Sequence, residues 1–211
     1  RRILSFHIIS QVGYMVLGLA LFTPLALTGA VFYLLHHMIV KANLFLISGA
    51  SRRAAGSFEL SRLGGLYRDR RFLAFLFFVP AFSLAGFPPL SGFWAKMMLI
   101  KASLAGGFYG VAAAAAVVGL LTVYSMSKIW GEAFWKPAPA NARTGQDAAG
   151  KAAGPLSAGS GEMWMFLPIA LLALVTIVIG LLPGPFVAMA GQAAHELLHP
   201  EIYVKAVLGR V

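Results

Sequence analysis

YLLHHMIVK, residues 33–41, lies inside an otherwise apolar run that extends from position 25 to position 50. A run of this length can cross a lipid bilayer as a helix, because ~20 residues at 1.5 Å each are enough. Helical spacing places Tyr33, His37 and Lys41 on one face, and Ser48 continues that face two turns later. The stretch therefore predicts a membrane-spanning helix with a titratable face.

Lys41 is the residue of this stretch that a bilayer tolerates least. A lysine in mid-span costs at least ~2.5–3.5 kcal/mol on insertion scales, so a bundle interior or a water-filled path must compensate. The alternative is a side chain that extends to the headgroups. It fits poorly, because apolar residues flank Lys41 on both sides. We interpret Lys41 as a functional group.

The composition is that of an integral membrane protein. Hydrophobic residues make up 59% of the chain and charged residues 11%, whereas soluble domains average roughly 45–50% and about 25%. The absence of cysteine excludes disulfides and thiolate metal sites. The net charge of +10 comes from basic residues at the ends of apolar runs, which is typical of membrane topology and not of nucleic-acid binding.

The apolar runs predict an all-α protein with five transmembrane helices, at 3–22, 25–50, 72–106, 108–129 and 162–183. The first carries His7, Gln11 and Tyr14 at helical spacing, which forms a second polar stripe. The basic segment 51–71 marks the cytoplasmic side. Residues 132–161 predict a flexible cytoplasmic linker, and the weakly amphipathic tail 184–211 suits a position in the membrane interface.

The third apolar run is interrupted by GFPPLSG, residues 86–92. No continuous helix survives Pro88 and Pro89 with Gly86 and Gly92 beside them, because proline lacks an N–H and clashes with the preceding turn. The halves form either a hairpin or one span of two half-helices. Each half is about 22 Å long, short of a ~30 Å hydrocarbon core, and a single span returns the later basic residues to the cytoplasm. We predict one discontinuous helix.

Lys96 lies about one turn into the second half-helix. Irregular backbone at membrane depth lines a cavity or packs against protein, and in transporters it often marks the ion path. The alternative is a lysine that extends to an interface, as we expect for Lys101. Burial disfavours the charged forms of lysine and histidine, so buried groups of this kind suit a proton relay. The titratable groups at membrane depth are His7, His36, His37, Lys41 and Lys96.

Motifs for covalent chemistry do not occur in the sequence. It contains no nucleophile elbow, phosphate-binding loop or dinucleotide fingerprint. His195 and His199 have a spacing that can bind metal, but a third ligand is missing. We therefore predict a protein that is not an enzyme, with no cofactor and no resident metal.

Three motifs resemble the antiporter-like membrane subunits shared by Mrp-type (also Mnh or Pha) cation/proton antiporters and respiratory complex I. They are RILSFHIISQVGY at 2–14, HHMIVKANLFL at 36–46 and GFPPLSGFWAK at 86–96. The second and third look most like the D-type subunits of the Mrp antiporters. The resemblance covers residues 1–130 and implies a fold of about fourteen helices, of which this chain would be the last five. We expect the chain to be the C-terminal part of a longer protein.

The resemblance also implies roles for individual residues. It places the family's relay lysine of the broken helix on Lys96, and the relay pair of the preceding helix on His37 and Lys41. Relatives in complex I often have a histidine where this chain has Tyr33, and His36 lies off that face. His7, Gln11, Ser48, Tyr33 and His36 are therefore expected only as support for the relay.

The leading hypothesis is a subunit of a multisubunit antiporter in a bacterial inner membrane. It would exchange Na⁺ or K⁺ for H⁺ together with other membrane subunits. The alternative is a proton-pumping subunit of an NADH–quinone oxidoreductase or hydrogenase-type complex, because the same relay serves both. A purely structural membrane scaffold is a third hypothesis, which buried charge disfavours.

Overall fold

The computed structural model describes residues 2–137 and 160–209, and every regular element in these two ranges is helical. We number the α-helices in chain order. They are α1 (Arg2–Leu21), α2 (Pro24–Ala55), the short α3 (Leu66–Asp69), α4 (Arg71–Ala85), α5 (Ser91–Ala105), α6 (Tyr109–Trp130), α7 (Ser160–Leu181), α8 (Pro183–Leu198) and α9 (Pro200–Leu208).

Four helical segments of the described residues are long and apolar enough to cross a membrane: Arg2–Leu21, Pro24–Arg53, Tyr109–Trp135 and Trp164–Leu181. Helix α4 is apolar but shorter, as a half-helix must be. The prediction of an all-α, multi-pass membrane protein is confirmed. The total of five spans stays a prediction, because it depends on counting α4 and α5 as one.

Helix α2 begins and ends at residues that suit helix termini. Thr23 is its N-cap and accepts a hydrogen bond of 3.3 Å from the backbone N–H of Ala26, while Pro24 occupies the first turn, where no N–H is needed. Its C-terminus lies at Ala55, beyond the predicted end at position 50, and is closed by Gly56 in the left-handed region with φ of 75°. The helix is therefore long enough for both of its halves to contribute residues to the apolar core.

The interruption of the third apolar run separates α4 from α5. Helix α4 ends at Ala85 and is followed by its C-cap Gly86, which has φ of 90°, and α5 begins at Ser91. The half-helices pack beside different parts of α2. An apolar cluster joins α4 to the C-terminal half of α2 through Val40, Leu44, Ile47, Leu73, Phe77 and Ala81. A second cluster joins α5 to the N-terminal half of α2 through Phe32, Tyr33, Ala95 and Leu99.

Helices α6 and α7 also contribute residues to both apolar clusters, and in each helix different residues belong to each cluster. Met126 of α6 and Ile169 of α7 belong to the cluster around α4, whereas Ala115 of α6 and Ile179 of α7 belong to the cluster around α5. A hairpin would place both half-helices beside the same part of α2. The observed order instead fits one discontinuous helix that runs antiparallel to α2, as the sequence predicts.

The boundary between α6 and the predicted linker differs from the sequence prediction. Helix α6 continues as a wide π-helical turn, Gly131–Trp135, and its Ala133 and Phe134 are buried in the apolar core. Because those side chains are apolar and fill space beside α4, the predicted linker cannot begin at 132. The rest of the linker prediction, from 138 to 159, lies outside the described residues.

The C-terminal tail contains two helices. Helix α8 packs against α2 through Ala190 and Ala194, which are buried, and a Cβ on Gly191 would lie 3.8 Å from Oγ1 of Thr28. Part of the tail thus covers the N-terminal half of α2. Its position in a membrane interface stays a prediction.

Candidate functional site

Lys41 lies at the middle of α2 with 5% of its surface exposed. Its Nζ donates a hydrogen bond of 3.0 Å to the backbone carbonyl of Leu4, in the first turn of α1. A carbonyl oxygen has two lone pairs, so Leu4 can accept this bond beside its bond within the helix. The amine is therefore held inside the bundle and does not extend along α2 to a headgroup region.

Lys96 is held in the same way, but at the interrupted segment. Its Nζ donates hydrogen bonds of 2.9 Å and 3.1 Å to the carbonyls of Leu84 and Ala85. These carbonyls belong to the last turn of α4, where a helix lacks N–H partners and where its dipole is negative. The side chain is 6% exposed. The break in the helix thus creates the acceptors that bind the ammonium group.

Gly86 makes room for the side chain of Lys96. A Cβ at position 86 would lie 2.9 Å from Cδ of Lys96, closer than atoms of this kind normally approach. The φ of 90° at this position also favours glycine. Of the predicted break residues, Gly86 terminates α4, Pro88 and Pro89 form the connection through a cis peptide bond, and Gly92 lies in the first turn of α5.

Aromatic rings lie between Lys96 and the polar face of α2. Nζ of Lys96 is 5.1 Å from the ring centroid of Tyr14, the kind of contact in which a cation meets an aromatic face. Tyr14 stacks on Tyr33 with 5.2 Å between centroids, and Tyr33 stacks on His37 at 6.3 Å. Tyr33 is fully buried and His37 is 7% exposed. The face of Tyr33, His37 and Lys41 therefore meets Lys96 through stacked rings.

The polar stripe of α1 connects α2 with α6. The hydroxyl of Tyr33 donates to Oε1 of Gln11, and Nε2 of Gln11 donates to Oγ1 of Thr122 at 3.3 Å. The hydroxyl of Tyr14 donates to the carbonyl of Ala115. These groups satisfy one another inside the bundle, so this stripe explains how three helices pack around polar side chains.

His7 lies one turn before Gln11 on the same stripe and contacts α6. Its Nε2 is 2.7 Å from Oγ of Ser125, and its Nδ1 hydrogen-bonds to no described residue. Ser125 follows Thr122 by about one turn, so this pair repeats the contact between α1 and α6 that Gln11 makes. The predicted role of His7 as support for the relay stays a prediction.

His36 faces the interrupted segment, away from Lys41. Its Nδ1 is 2.8 Å from Oγ of Ser91, and Oγ of Ser91 is 3.0 Å from Oγ of Ser83. All three residues are buried, with at most 1% exposure. The prediction that His36 lies off the face of Tyr33 and His37 agrees with this arrangement.

Ser48 lies apart from the other candidates. It is half-buried and lines a cavity of about 410 Å³ near the C-terminal end of α2, together with Leu4, Ser51 and Glu59. Leu4 connects this cavity to Lys41, because its carbonyl accepts the hydrogen bond from the amine. The structure therefore places Ser48 on the wall of a space that reaches the residue that binds Lys41.

The site contains groups that sequence reasoning did not single out. Ser83 gave no signal, because one hydroxyl in an apolar helix is usually bonded to its own backbone. The backbone carbonyls of Leu4, Leu84 and Ala85 carry no residue-type signal at all. A helix break does predict that some backbone carbonyls lack N–H partners. Only the structure identifies the lysine that binds them.

Among the described side chains, neither Lys41 nor Lys96 has a carboxylate partner. The acidic side chains that the structure describes are Glu59, Glu132, Glu196 and Glu201, all in loops or near helix ends. Within the described ranges, no group of three metal-ligating residues occurs. The arrangement can hold protons on two amines and two imidazoles, and it offers backbone oxygen in place of a counter-ion.

A family model described as "NADH:quinone oxidoreductase/Mrp antiporter, TM" matches residues 1–122, which include every site residue that the sequence predicted. The chain belongs to this family. The NADH:quinone oxidoreductase/Mrp antiporter family was also the resemblance that the sequence motifs indicated, so that prediction is confirmed.

Relatives within the family carry antiporter names. The chain is 44% identical over 208 residues to the D subunit of a Na(+)/H(+) antiporter of Alkalihalophilus pseudofirmus, a match that covers 99% of this chain and 40% of that protein. The structure of this chain matches a chain of "Structure of Mrp complex from Dietzia sp. DQ12-45-1b" with a TM-score of 0.83 and 39% identity. That match covers 97% of this chain and 44% of the other. The chain thus spans less than half of the length of these relatives.

A chain of respiratory complex I from Thermus thermophilus, with bound aureothin, is a more distant structural match. The TM-score is 0.60 and the identity is 26%, over 83% of this chain and 36% of that chain. The two structural matches share the fold, and the antiporter match is nearer in both sequence and shape.

Proposed function

We propose that this chain is part of a subunit of a multisubunit monovalent cation/proton antiporter, a transporter and not an enzyme. It would move H⁺ through Lys41, His37 and Lys96 in exchange for Na⁺ or K⁺ across a bacterial inner membrane. Other membrane subunits would complete the complex. The relatives named as the D subunit of an antiporter and the fold match to an Mrp complex support this proposal.

The observation that carries the proposal is the placement of the two lysines. Both amines are almost fully buried inside the helix bundle, and both are bound by backbone carbonyls, Lys41 by Leu4 and Lys96 by Leu84 and Ala85. An ammonium group without a carboxylate partner is costly to keep in this environment. A role in which the amine gains and loses a proton during exchange would explain why the protein keeps these lysines despite the cost of burying them.

The test uses the full-length complex in everted membrane vesicles, with cation-driven changes in ΔpH as the measurement. Lys96→Met and Lys41→Met should abolish the exchange while the assembled complex remains at its normal amount. Lys101→Met is the matched control, because Lys101 lies on the same half-helix but is exposed. Normal exchange in an assembled Lys96→Met or Lys41→Met complex would contradict the proposal.

A proton-pumping subunit of an NADH–quinone or hydrogenase-type complex is the second candidate function. The family description includes NADH:quinone oxidoreductase, and the match to a complex I chain favours it, but at lower identity than the Mrp match. The two candidates differ in the energy source. Proton movement that requires electron transfer from a reduced donor such as NADH to an acceptor such as a quinone, and that does not depend on Na⁺ or K⁺, would favour the redox complex.

A further inference from the structure

His36 connects the middle of α2 to the interrupted segment by hydrogen bonds between side chains. Its Nδ1 is 2.8 Å from Oγ of Ser91, at the start of α5, and Ser91 is 3.0 Å from Oγ of Ser83, near the end of α4. The backbone N–H of Gly92 also donates to Oγ of Ser83, at 3.4 Å. One buried chain of polar atoms thus joins three helical segments.

This chain of polar atoms ends one residue before the carbonyls that bind Lys96. Ser83 is followed directly by Leu84 and Ala85, whose carbonyls bind Nζ of Lys96. At the other end, Nε2 of His36 is buried and hydrogen-bonds to no described residue, so a proton that reaches His36 from this side must come through a water molecule or a group outside the described contacts.

The face of α2 that carries His37 has no comparable connection to Lys96 among the described residues. The hydroxyls of Tyr33 and Tyr14 donate to Gln11 and to the carbonyl of Ala115, and only ring contacts link them to Lys96 and His37. Aromatic carbon does not carry protons. A hydrogen-bonded route from α2 toward Lys96 therefore begins at His36.

We propose that His36 is a further proton-carrying residue, which exchanges protons with Lys96 through the hydroxyls of Ser91 and Ser83. The inference rests on the antiporter function proposed above and adds three residues to its relay. It also separates two adjacent histidines: His37 belongs to the face of Lys41, and His36 belongs to the interrupted segment.

The transfer balances with one proton. Doubly protonated His36 gives its Nδ1 proton to Oγ of Ser91 while Ser91 passes its own hydroxyl proton to Ser83. No hydrogen bond joins Oγ of Ser83 to Nζ of Lys96 among the described residues, so this step needs a water molecule between them. Ser83 gives its hydroxyl proton to that water, and the water gives a proton to the neutral amine of Lys96. His36 ends neutral, each serine ends as a hydroxyl, and Lys96 ends as an ammonium group. Rotation of the two hydroxyls restores the starting directions of the hydrogen bonds.

The charges around His36 favour sharing of a single proton. The titratable groups near it are Lys96 on α5, and His37 and Tyr33 on its own helix, while Tyr14 on α1 stacks on Tyr33. Two positive charges on His36 and Lys96 would repel each other in a low-dielectric interior. A state with the proton on one of the two groups is therefore favoured over a state with protons on both.

The test measures cation-driven exchange by the full complex in everted vesicles at a series of pH values. His36→Gln retains hydrogen-bonding atoms but cannot carry the proton, whereas Ser91→Ala and Ser83→Ala interrupt the chain of hydroxyls. Ser103→Ala is the matched control. Ser103 is a fully buried serine of α5 whose hydroxyl donates to the carbonyl of Leu99 in its own helix, at 2.9 Å.

We expect each of the three variants to lower the maximal rate by roughly tenfold or more, with a normal amount of complex and an unchanged half-saturating cation concentration. Ser103→Ala should exchange as the unaltered protein does. The residual rate of His36→Gln should also follow a different pH profile, because a titrating group is gone. A merely structural role would leave the profile unchanged, and that result would overturn the inference.

Normal exchange in any assembled His36→Gln, Ser91→Ala or Ser83→Ala complex would overturn it as well. Should one variant fail to assemble, the other two decide. Lys96→Met, measured in the same membranes, separates the two proposals. Loss of exchange there together with normal exchange in His36→Gln removes His36 from the relay and leaves the antiporter function standing.

Discussion

Nζ of Lys96 lies 2.9 Å from the carbonyl oxygen of Leu84, so a side chain of the second half-helix binds the open end of the first. The same amine also binds the next carbonyl along the chain. The lysine therefore satisfies backbone groups that the break leaves without N–H partners. A helix break and a buried lysine, each costly alone at membrane depth, stabilise one another here.

Replacement of a relay lysine by arginine separates charge from proton exchange. Arginine keeps a positive charge and hydrogen-bond donors, but it does not release its proton in proteins. We expect Lys41→Arg to remain assembled, with its guanidinium near the carbonyl of Leu4, and to lose cation-driven ΔpH changes in everted vesicles. Lys128→Arg is the control, because Lys128 is exposed at the end of α6. Exchange at the normal rate in Lys41→Arg would show that a fixed charge suffices.

Gly86→Ala tests whether cation-driven exchange depends on the position of the Lys96 amine. The new Cβ would lie 2.9 Å from Cδ of Lys96, so the side chain must move. Gly107→Ala is a matched control: its φ of 76° is similarly unfavourable for alanine, but nothing lies within 4 Å of its Cβ. Both should lose about 1–2 kcal/mol of stability from the left-handed backbone.

Only Gly86→Ala should also lower the exchange rate in vesicles that contain equal amounts of assembled complex. Equal exchange rates for the two variants would mean that displacement of Lys96 does not affect transport. The comparison works because the backbone strain is common to both positions and the contact with lysine is not.

Tyr33→Phe distinguishes a structural hydroxyl from a relay hydroxyl. Its hydroxyl donates to Oε1 of buried Gln11, so its removal leaves that oxygen without its donor, at a cost of ~1–3 kcal/mol. We expect a lower thermal unfolding temperature of the purified complex and a normal exchange rate. Tyr124→Phe, at an exposed position of α6, should change neither. A loss of exchange without a loss of stability would place Tyr33 in the relay.

The membrane class, the helix break and the two lysines could be read from residue types. Long apolar runs cannot pack as a soluble domain, and two adjacent prolines between glycines interrupt any helix. Lys41 and Lys96 were identifiable because an amine in such a run needs an explanation. The C-terminal end of the α6 segment could not be predicted from the sequence. Residues 131–135 resemble a polar boundary, but their Ala133 and Phe134 lie in the core.

The partners of the polar side chains needed the folded chain. Spacing on one helix puts Tyr33 with His37, but it says nothing about which neighbouring helix receives each hydroxyl. Ser83 and Ser91 are eight positions apart in the sequence, and they meet His36 only because the break brings the ends of α4 and α5 beside the middle of α2. Sequence periodicity therefore could not separate the roles of His36 and His37.

Residue types and their order alone determined that this chain spans a bilayer, that its third apolar run is interrupted, and that Lys41 and Lys96 lie within its spans and away from their ends. Those conclusions follow from transfer free energies and backbone sterics, which act locally along the chain. Tertiary packing decided what each amine binds and which histidine faces the break. Such contacts join residues far apart in sequence, and the acceptors are backbone carbonyls, which every residue possesses and no residue type reveals.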